Sequence, residues 1–354
     1  MELDRFFIEN IAKILEFLDQ DTITIYIKRT VDSLAAGYYL MEKFASTAQL
    51  KIADWPPDSG ICLGFTCDGF YLHENKVGVG DAALELERPM PVSYLVYKLA
   101  KSMAALERGD LLKLYIGVYS WLVDNCEYKC EGFNDMLDEV GGRLSLAFPY
   151  PDAPFGKSLA LTTLPVLPGV TSRGLKLEKP LKLMKPAEIL DALDEALGIV
   201  YENGFDTAVG DKGLRIIPGD LDVATKALEL EAHLAGFVGG GLKNSERYVE
   251  FLSKSLEDAA RASPAAVLSN PYFVIKLGHY LPYYDKLKGP LVLRADVGRG
   301  FVASVVLHRK AQDRLGRIAK RVAGLGQITQ YPTHVLVYAT RDKWPGLLKA
   351  VEES

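Results

Sequence analysis

The sequence predicts an α/β fold in which a mainly parallel-sheet domain is followed by a helical insert and a smaller C-terminal α/β domain. Three observations predict it. Short β-rich runs such as "TITIYI" (22–27) precede longer apolar helical segments, the order that builds parallel sheets. The chain has 354 residues, 49% apolar and 25% charged, which is enough for two cores of ordinary globular composition. Between 187 and 263 the apolar spacing is helical only, and strand-like runs return after it.

The elements follow in order. In "MELDRFFIENIAKILEFLDQ", Phe6, Phe7, Ile11, Ile14, Leu15 and Leu18 share a helical face, so this is a core helix and not a signal peptide. "TITIYI" reads as a buried strand that turns at Arg29–Ser33 into an apolar helix from Leu34 to Phe44. "LKIADW" and "ICLGF" are further strands around the turn-forming "PPDSG". In "FTCDGFYLHEN", Asp68-Gly69 marks a tight turn before a short strand. "PVSYLVYKLAKSM" and "LLKLYIGVYSWLVDN" are helices, and "GRLSLAFPYPDAPF" is strand-like until its prolines.

These readings place a domain at 1–165. The proline-containing stretch 166–186 reads as an extended connector, with Arg173, Lys176, Lys179, Lys182 and Lys185 along one edge of a polyproline-like ribbon. Three helices fill 187–263. The last domain, 264–354, reads as strands at "YFVIKL", "GPLVLRADVG", "GFVASVVLH" and "THVLVYAT", with a helix before the last strand and another after it.

A net charge of -5 argues against a protein that coats nucleic acid by charge alone. No apolar run approaches the ~18 residues of a membrane span, and the expected location is the cytoplasm. The four cysteines, Cys62/Cys67 and Cys126/Cys130, lack CxxC spacing and read as buried apolar residues ahead of a disulfide or a zinc site. Only five Gln and seven Asn occur, a composition that hints at a thermophilic source. No dinucleotide-binding or Walker loop and no G-x-S-x-G elbow is present, and the five histidines are scattered. A two-metal hydrolase needs carboxylates and histidines converging on cations about 4 Å apart. Here Asp32, Asp68, His73 and Asp124 are too few, and none is clustered in sequence. In "HRKAQDRLGRIAKR", a helix would align Lys310, Arg314, Arg317 and Arg321 opposite an apolar stripe of Ala311, Leu315, Ile318 and Val322. Such a basic face could follow a phosphate backbone.

The first domain resembles the DHH phosphoesterase superfamily, which includes the RecJ exonucleases. That family's first strand ends close to His-Arg-Asp-Ala-Asp-Gly; here the frame reads Lys28-Arg29-Thr30-Val31-Asp32-Ser33, then "LAAGYYL". The resemblance implies that Thr30 replaces one metal-binding aspartate while Asp32 survives. "YLHEN" stands for the Asp-His-His motif, with Leu72, His73 and Glu74 on it, and Asp124 ends the helix that delivers a last metal ligand. "LPVLPGVTSRG" resembles the segment after the first domain of archaeal RecJ-like proteins, and "GLGQITQYP" (324–332) is the nearest remnant of a Gly-Gly-Gly-His substrate loop. A scaffold so altered is similar to the inactive archaeal RecJ-like proteins, counterparts of the eukaryotic factor cell division cycle forty-five.

The resemblance implies a non-catalytic subunit joining the GINS complex and the MCM helicase, with no cofactor, no membrane and a possible contact to single-stranded DNA. On that reading Thr30, Asp32, His73 and Asp124 are vestigial metal-site positions, and Asp32 caps the helix that begins at Leu34. The alternatives are a RecJ-type nuclease or phosphodiesterase using Mn or Mg, and a single-strand DNA-binding module without a helicase role.

Overall fold

The computed structural model describes residues 2–20, 22–44, 47–125, 133–140, 142–146, 148–209, 214–218, 223–262 and 264–353. The chain enters through α1 (Glu2–Leu18), which buries Leu3, Phe7, Ile14 and Leu18, while Leu15 turns partly outward at 40% exposure. Strands β1 (Thr24–Lys28), β2 (Gln49–Ala53), β3 (Ser59–Leu63), β4 (Asp68–His73), β5 (Lys76–Val79) and β6 (Ala82–Glu85) form one sheet in the order β2-β1-β3-β4-β5-β6. The first four pair in parallel, as expected. The expectation of a mainly parallel sheet needs one correction: β5 and β6 extend it as an antiparallel meander. Gly80, at φ +54°, supplies the tight turn between them.

Helix α2 (Val31–Phe44) crosses between β1 and β2 and packs very closely on the sheet. A Cβ at Gly37 would lie 2.6 Å from Leu50 and 2.8 Å from Ile27, so only glycine lets the helix approach this near. Helices α3 (Val92–Ser102) and α4 (Arg108–Asn125) pack beside α2, followed by α5 (Asn134–Val140), β7 (Gly142–Leu146) and α6 (Phe155–Ala160).

The connector is not an extended, solvated ribbon. Val166, Leu167, Val170 and Thr171 are buried, because the stretch folds into turns that drive its apolar side chains inward. Of its cations, Arg173, Lys179 and Lys182 pair with Glu257, Glu188 and Asp152. The insert comprises α7 (Pro186–Glu202), β8 (Leu214–Pro218), α8 (Val223–Leu234) and α9 (Leu242–Arg261). It is not purely helical, since β8 pairs antiparallel with β7. Helix α8 packs on α2 and α4 and so joins the helical layer of the first lobe.

The C-terminal lobe contains β9 (Ala265–Val267), α10 (Pro271–Gly278), β10 (Leu291–Val297), β11 (Gly300–Val306), α11 (Leu315–Val322), β12 (Gln327–Gln330), β13 (His334–Thr340) and α12 (Trp344–Glu352). Its sheet runs β12-β13-β11-β10-β9 and is buried on both faces. Val292, Phe301, Ala303 and Val335 pack under α11 and α12, while Leu291, Leu293, Val302 and Leu336 face the rest of the chain. "YFVIKL" is helix α10, not a strand. Asn270 caps it by accepting the Tyr272 N–H at 2.8 Å, and Pro271 occupies the first turn. A short apolar run cannot by itself separate a buried strand from a buried helix.

Cys62 and Cys67 form a disulfide, which corrects the reading of them as separate apolar residues. Beyond Leu63 the chain turns at Gly64 (φ +84°), bringing Cys67 back beside β3. Cys126 and Cys130 lie outside the described residues. No helix among the described residues is long and apolar enough to cross a membrane.

Candidate functional site

The corner after β1 faces a narrow cleft against α10 and the segment between β12 and β13. Thr30 is the N-cap of α2: its Oγ1 accepts the Ser33 N–H at 3.2 Å and donates to Ser33 Oγ at 3.0 Å. Asp32, 3% exposed, does not cap α2. Its Oδ2 and Oδ1 accept the N–H groups of Val92 at 2.6 Å and Ser93 at 2.8 Å, so it caps α3 from sixty residues away. The carboxylate can leave its own helix because Thr30 already serves it. Burial pushes the Asp32 carboxyl up to about 7, against the downward pull of those two N–H groups.

Lys28 is fully buried at the end of β1 and forms an ion pair with Glu74, which is 1% exposed. Tyr331 donates its hydroxyl to the same Glu74 oxygen at 2.9 Å, and its ring centroid lies 5.3 Å from the Lys28 ammonium. Burial draws the Lys28 pKa down although Glu74 and Asp32 oppose it. Burial also raises the Glu74 carboxyl, but Lys28 outweighs this and leaves it below the usual range.

His73 is buried and accepts the Asn75 N–H on Nδ1 at 3.1 Å. Its proton therefore sits on Nε2, which faces Thr329 Oγ1 at 2.9 Å, on the C-terminal lobe. Burial lowers its pKa to about 4, so its 3.6 Å approach to Glu74 is a polar contact of a neutral ring and not an ion pair.

At the other end of the cleft Asp124, from α4, meets Lys276 of α10 at 2.8 Å, and Lys276 reaches Glu231 of α8 at 2.6 Å. Tyr280 donates to Asp124 Oδ1 at 2.6 Å, and the Thr163 and Tyr248 hydroxyls approach Glu231 Oε2. Burial depresses the Lys276 ammonium, but the two carboxylates outweigh it and hold its pKa above the ordinary value. Burial raises the Glu231 carboxyl, with Lys276 opposing. His279, His334 and Tyr331 pack as a ring cluster at the wall of the site, with centroids 4.6 to 5.2 Å apart.

The structure thus gathers Thr30, Asp32 and Asp124 around one cavity, with His73 beside Glu74 at its edge. The cavity measures about 30 Å³, room for a water molecule and not for two metal ions with a phosphodiester. The residues do not fit a metal pair: Lys28 holds Glu74, Lys276 holds Asp124 and Glu231, and Asp32 is spent on a helix terminus. Among the described residues no three Asp, Glu, His or Cys side chains converge for a cation. Lys28, Glu231, Lys276, Tyr280 and Tyr331 were not singled out by sequence, although a lone lysine inside the apolar "YFVIKL" was a usable signal.

The predicted basic stripe lies elsewhere and is not one helix. Lys310 and Arg314 belong to a 3-10 turn, Arg317 and Arg321 to α11, and Arg321 donates to the Glu353 carbonyl. Leu315, Ile318 and Val322 form its buried side, as expected.

No protein-family model matches the sequence, and no curated protein matches it significantly. Among solved structures, CDC45 from Entamoeba histolytica aligns over 98% of both chains with a TM-score of 0.50 at 10% identity. The chain has the CDC45 fold. RecJ from Thermus thermophilus in complex with Mn²⁺ aligns over 98% of this chain and 54% of its own, with a TM-score of 0.43 at 13% identity. A manganese-bound exonuclease RecJ aligns over 98% and 93%, with a TM-score of 0.40 at 12% identity. In this CDC45 fold the cleft between the lobes is closed by side chains from both of them, Tyr331 and Lys276 from one side and Glu74 and Asp124 from the other.

Proposed function

We propose that the chain is a non-catalytic structural subunit of an archaeal replicative helicase assembly, bridging a GINS complex and an MCM helicase during DNA replication in the cytoplasm. The observation that carries the reading is the fate of the cleft carboxyls. Glu74, Asp124 and Glu231 are held by buried ammoniums and Asp32 by backbone N–H groups, an arrangement that serves folding and leaves no ligand set for hydrolysis. The particular assembly follows from the family resemblance of the first lobe. Purification from the native source with GINS subunits attached is the expected result. Manganese-dependent degradation of single-stranded DNA by the wild-type chain, abolished by Asp32→Ala, would overturn the reading in favour of a nuclease.

Single-stranded DNA is a proposed further contact, through Lys310, Arg314, Arg317 and Arg321. Lys310 and Arg317 are exposed. Reversing both charges is expected to weaken binding and to flatten the slope of log K against log salt by roughly 1.4, at about 0.7 per lost phosphate contact. An unchanged slope removes this stripe from any DNA-binding surface.

A further inference from the structure

We infer that the outer side of α1 is the contact through which two copies of this chain pair, helix against antiparallel helix, in a symmetric dimer. One face of α1 is spent on the core, through Leu3, Phe7, Ile14 and Leu18. Beside it runs a second apolar stripe, Ile8, Ile11 and Leu15, at the i, i+3, i+7 spacing of a helix-pairing seam. Ile8 is 61% exposed and Leu15 40%, with Ile11 half-buried between them. Single exposed apolar residues are ordinary, but three in line on one helix make a face that a partner can cover.

The charges along the outer edge of that stripe select the occupant. They read Arg5, Glu9, Lys13 and Glu16, all exposed and alternating in sign. Reversed in direction, this order is complementary to itself. With two α1 helices centred near Ile11, Arg5 faces Glu16 of the second copy and Glu9 faces Lys13 of the second copy. The two-fold axis repeats each pair, which is what an isologous contact requires. Within its own chain Arg5 Nε holds Glu9 Oε1 at 2.7 Å, whereas Lys13 and Glu16 have no ion-pair partner among the described residues. Ala12, small and exposed, lies near the crossing and lets the two backbones approach. An edge balanced between cations and anions suits neither a membrane surface nor a nucleic acid, since both select an excess of cations. The seam is short, so its area falls at the low end for specific complexes, below about 1,200 Å². The dimer is therefore weak, and it needs no other subunit.

Sedimentation velocity of the full chain tests this between about 1 and 300 µM, the range in which so small an interface assembles. Wild type is expected to pass from monomer to dimer. A monomer throughout overturns the inference and leaves the stripe to a different protein. Ile8→Asp puts a carboxylate into the seam and is expected to stay monomeric; a dimer as tight as wild type places the contact elsewhere and overturns it. Glu16→Lys sets like charges opposite each other twice and is expected to raise the dimer Kd about tenfold at low salt. Adding Arg5→Glu to it is expected to restore the pairing. An unchanged Kd in Glu16→Lys, or a double variant no tighter than it, overturns the antiparallel contact. All three positions are exposed, so the variants keep the monomer fold and report on pairing alone.

Discussion

Replacing Lys28 by methionine is expected to destabilise the chain by about 3–5 kcal/mol, the usual cost of removing one partner from a buried ion pair. Lys28 is fully buried and Glu74 is 1% exposed, so water cannot screen the carboxylate that is left behind. The Tyr331 hydroxyl would still donate to it, but a single neutral donor does not replace an ammonium. Neutralising the carboxylate as well, in Lys28→Met/Glu74→Gln, is expected to recover most of the loss, because no unpaired charge is then left buried. Urea unfolding of the two single variants and the double variant gives the coupling directly. A cost below about 1 kcal/mol for Lys28→Met would mean that Glu74 simply takes up a proton, and the charge-replacement account of this corner would fail.

The contrast between what could and could not be read from sequence follows from range. Strand β1 and its helix were legible because the β-rich run "TITIYI" leads through a short corner into an apolar helical segment. The helical side of α11 was legible from its apolar spacing, as Leu315, Ile318 and Val322 are all buried. Helix α10 was misread because its four-residue apolar run fits either period, and the deciding signal was the Asn270-Pro271 cap. The site itself was only half visible. Asp32 and Asp124 could be picked out, but their partners could not: Lys276 lies 152 positions from Asp124, and Asp32 spends its charge on a helix 60 positions away. No local pattern encodes such pairings. The expectation that Asp32 caps its own helix was reasonable on position alone, and was overturned by Thr30 holding the cap.

Tyr331 is the residue whose loss should most directly uncouple the lobes. It is 2% exposed, stacks on His334 with centroids 4.7 Å apart, and carries the hydroxyl bonded to Glu74 across the cleft. Tyr331→Ala is expected to cost about 3–5 kcal/mol, as large-to-small changes of buried aromatic residues do. Tyr331→Phe keeps the ring and removes only a hydrogen bond to a charged group, for which about 1–3 kcal/mol is expected. The difference between them measures packing, and hydrogen exchange shows where that packing acts. Strand β12 reaches the first lobe through Thr329 on His73 at 2.9 Å and Gln327 on the Thr66 carbonyl at 3.2 Å, so these contacts have Tyr331 as their neighbour. In Tyr331→Ala, amides of β12 and α10 should exchange faster while those of β1 and β3 stay protected, because the first sheet keeps its own core. Equal loss of protection in both lobes would show that Tyr331 supports the whole fold, and that the closed cleft is not a separable latch.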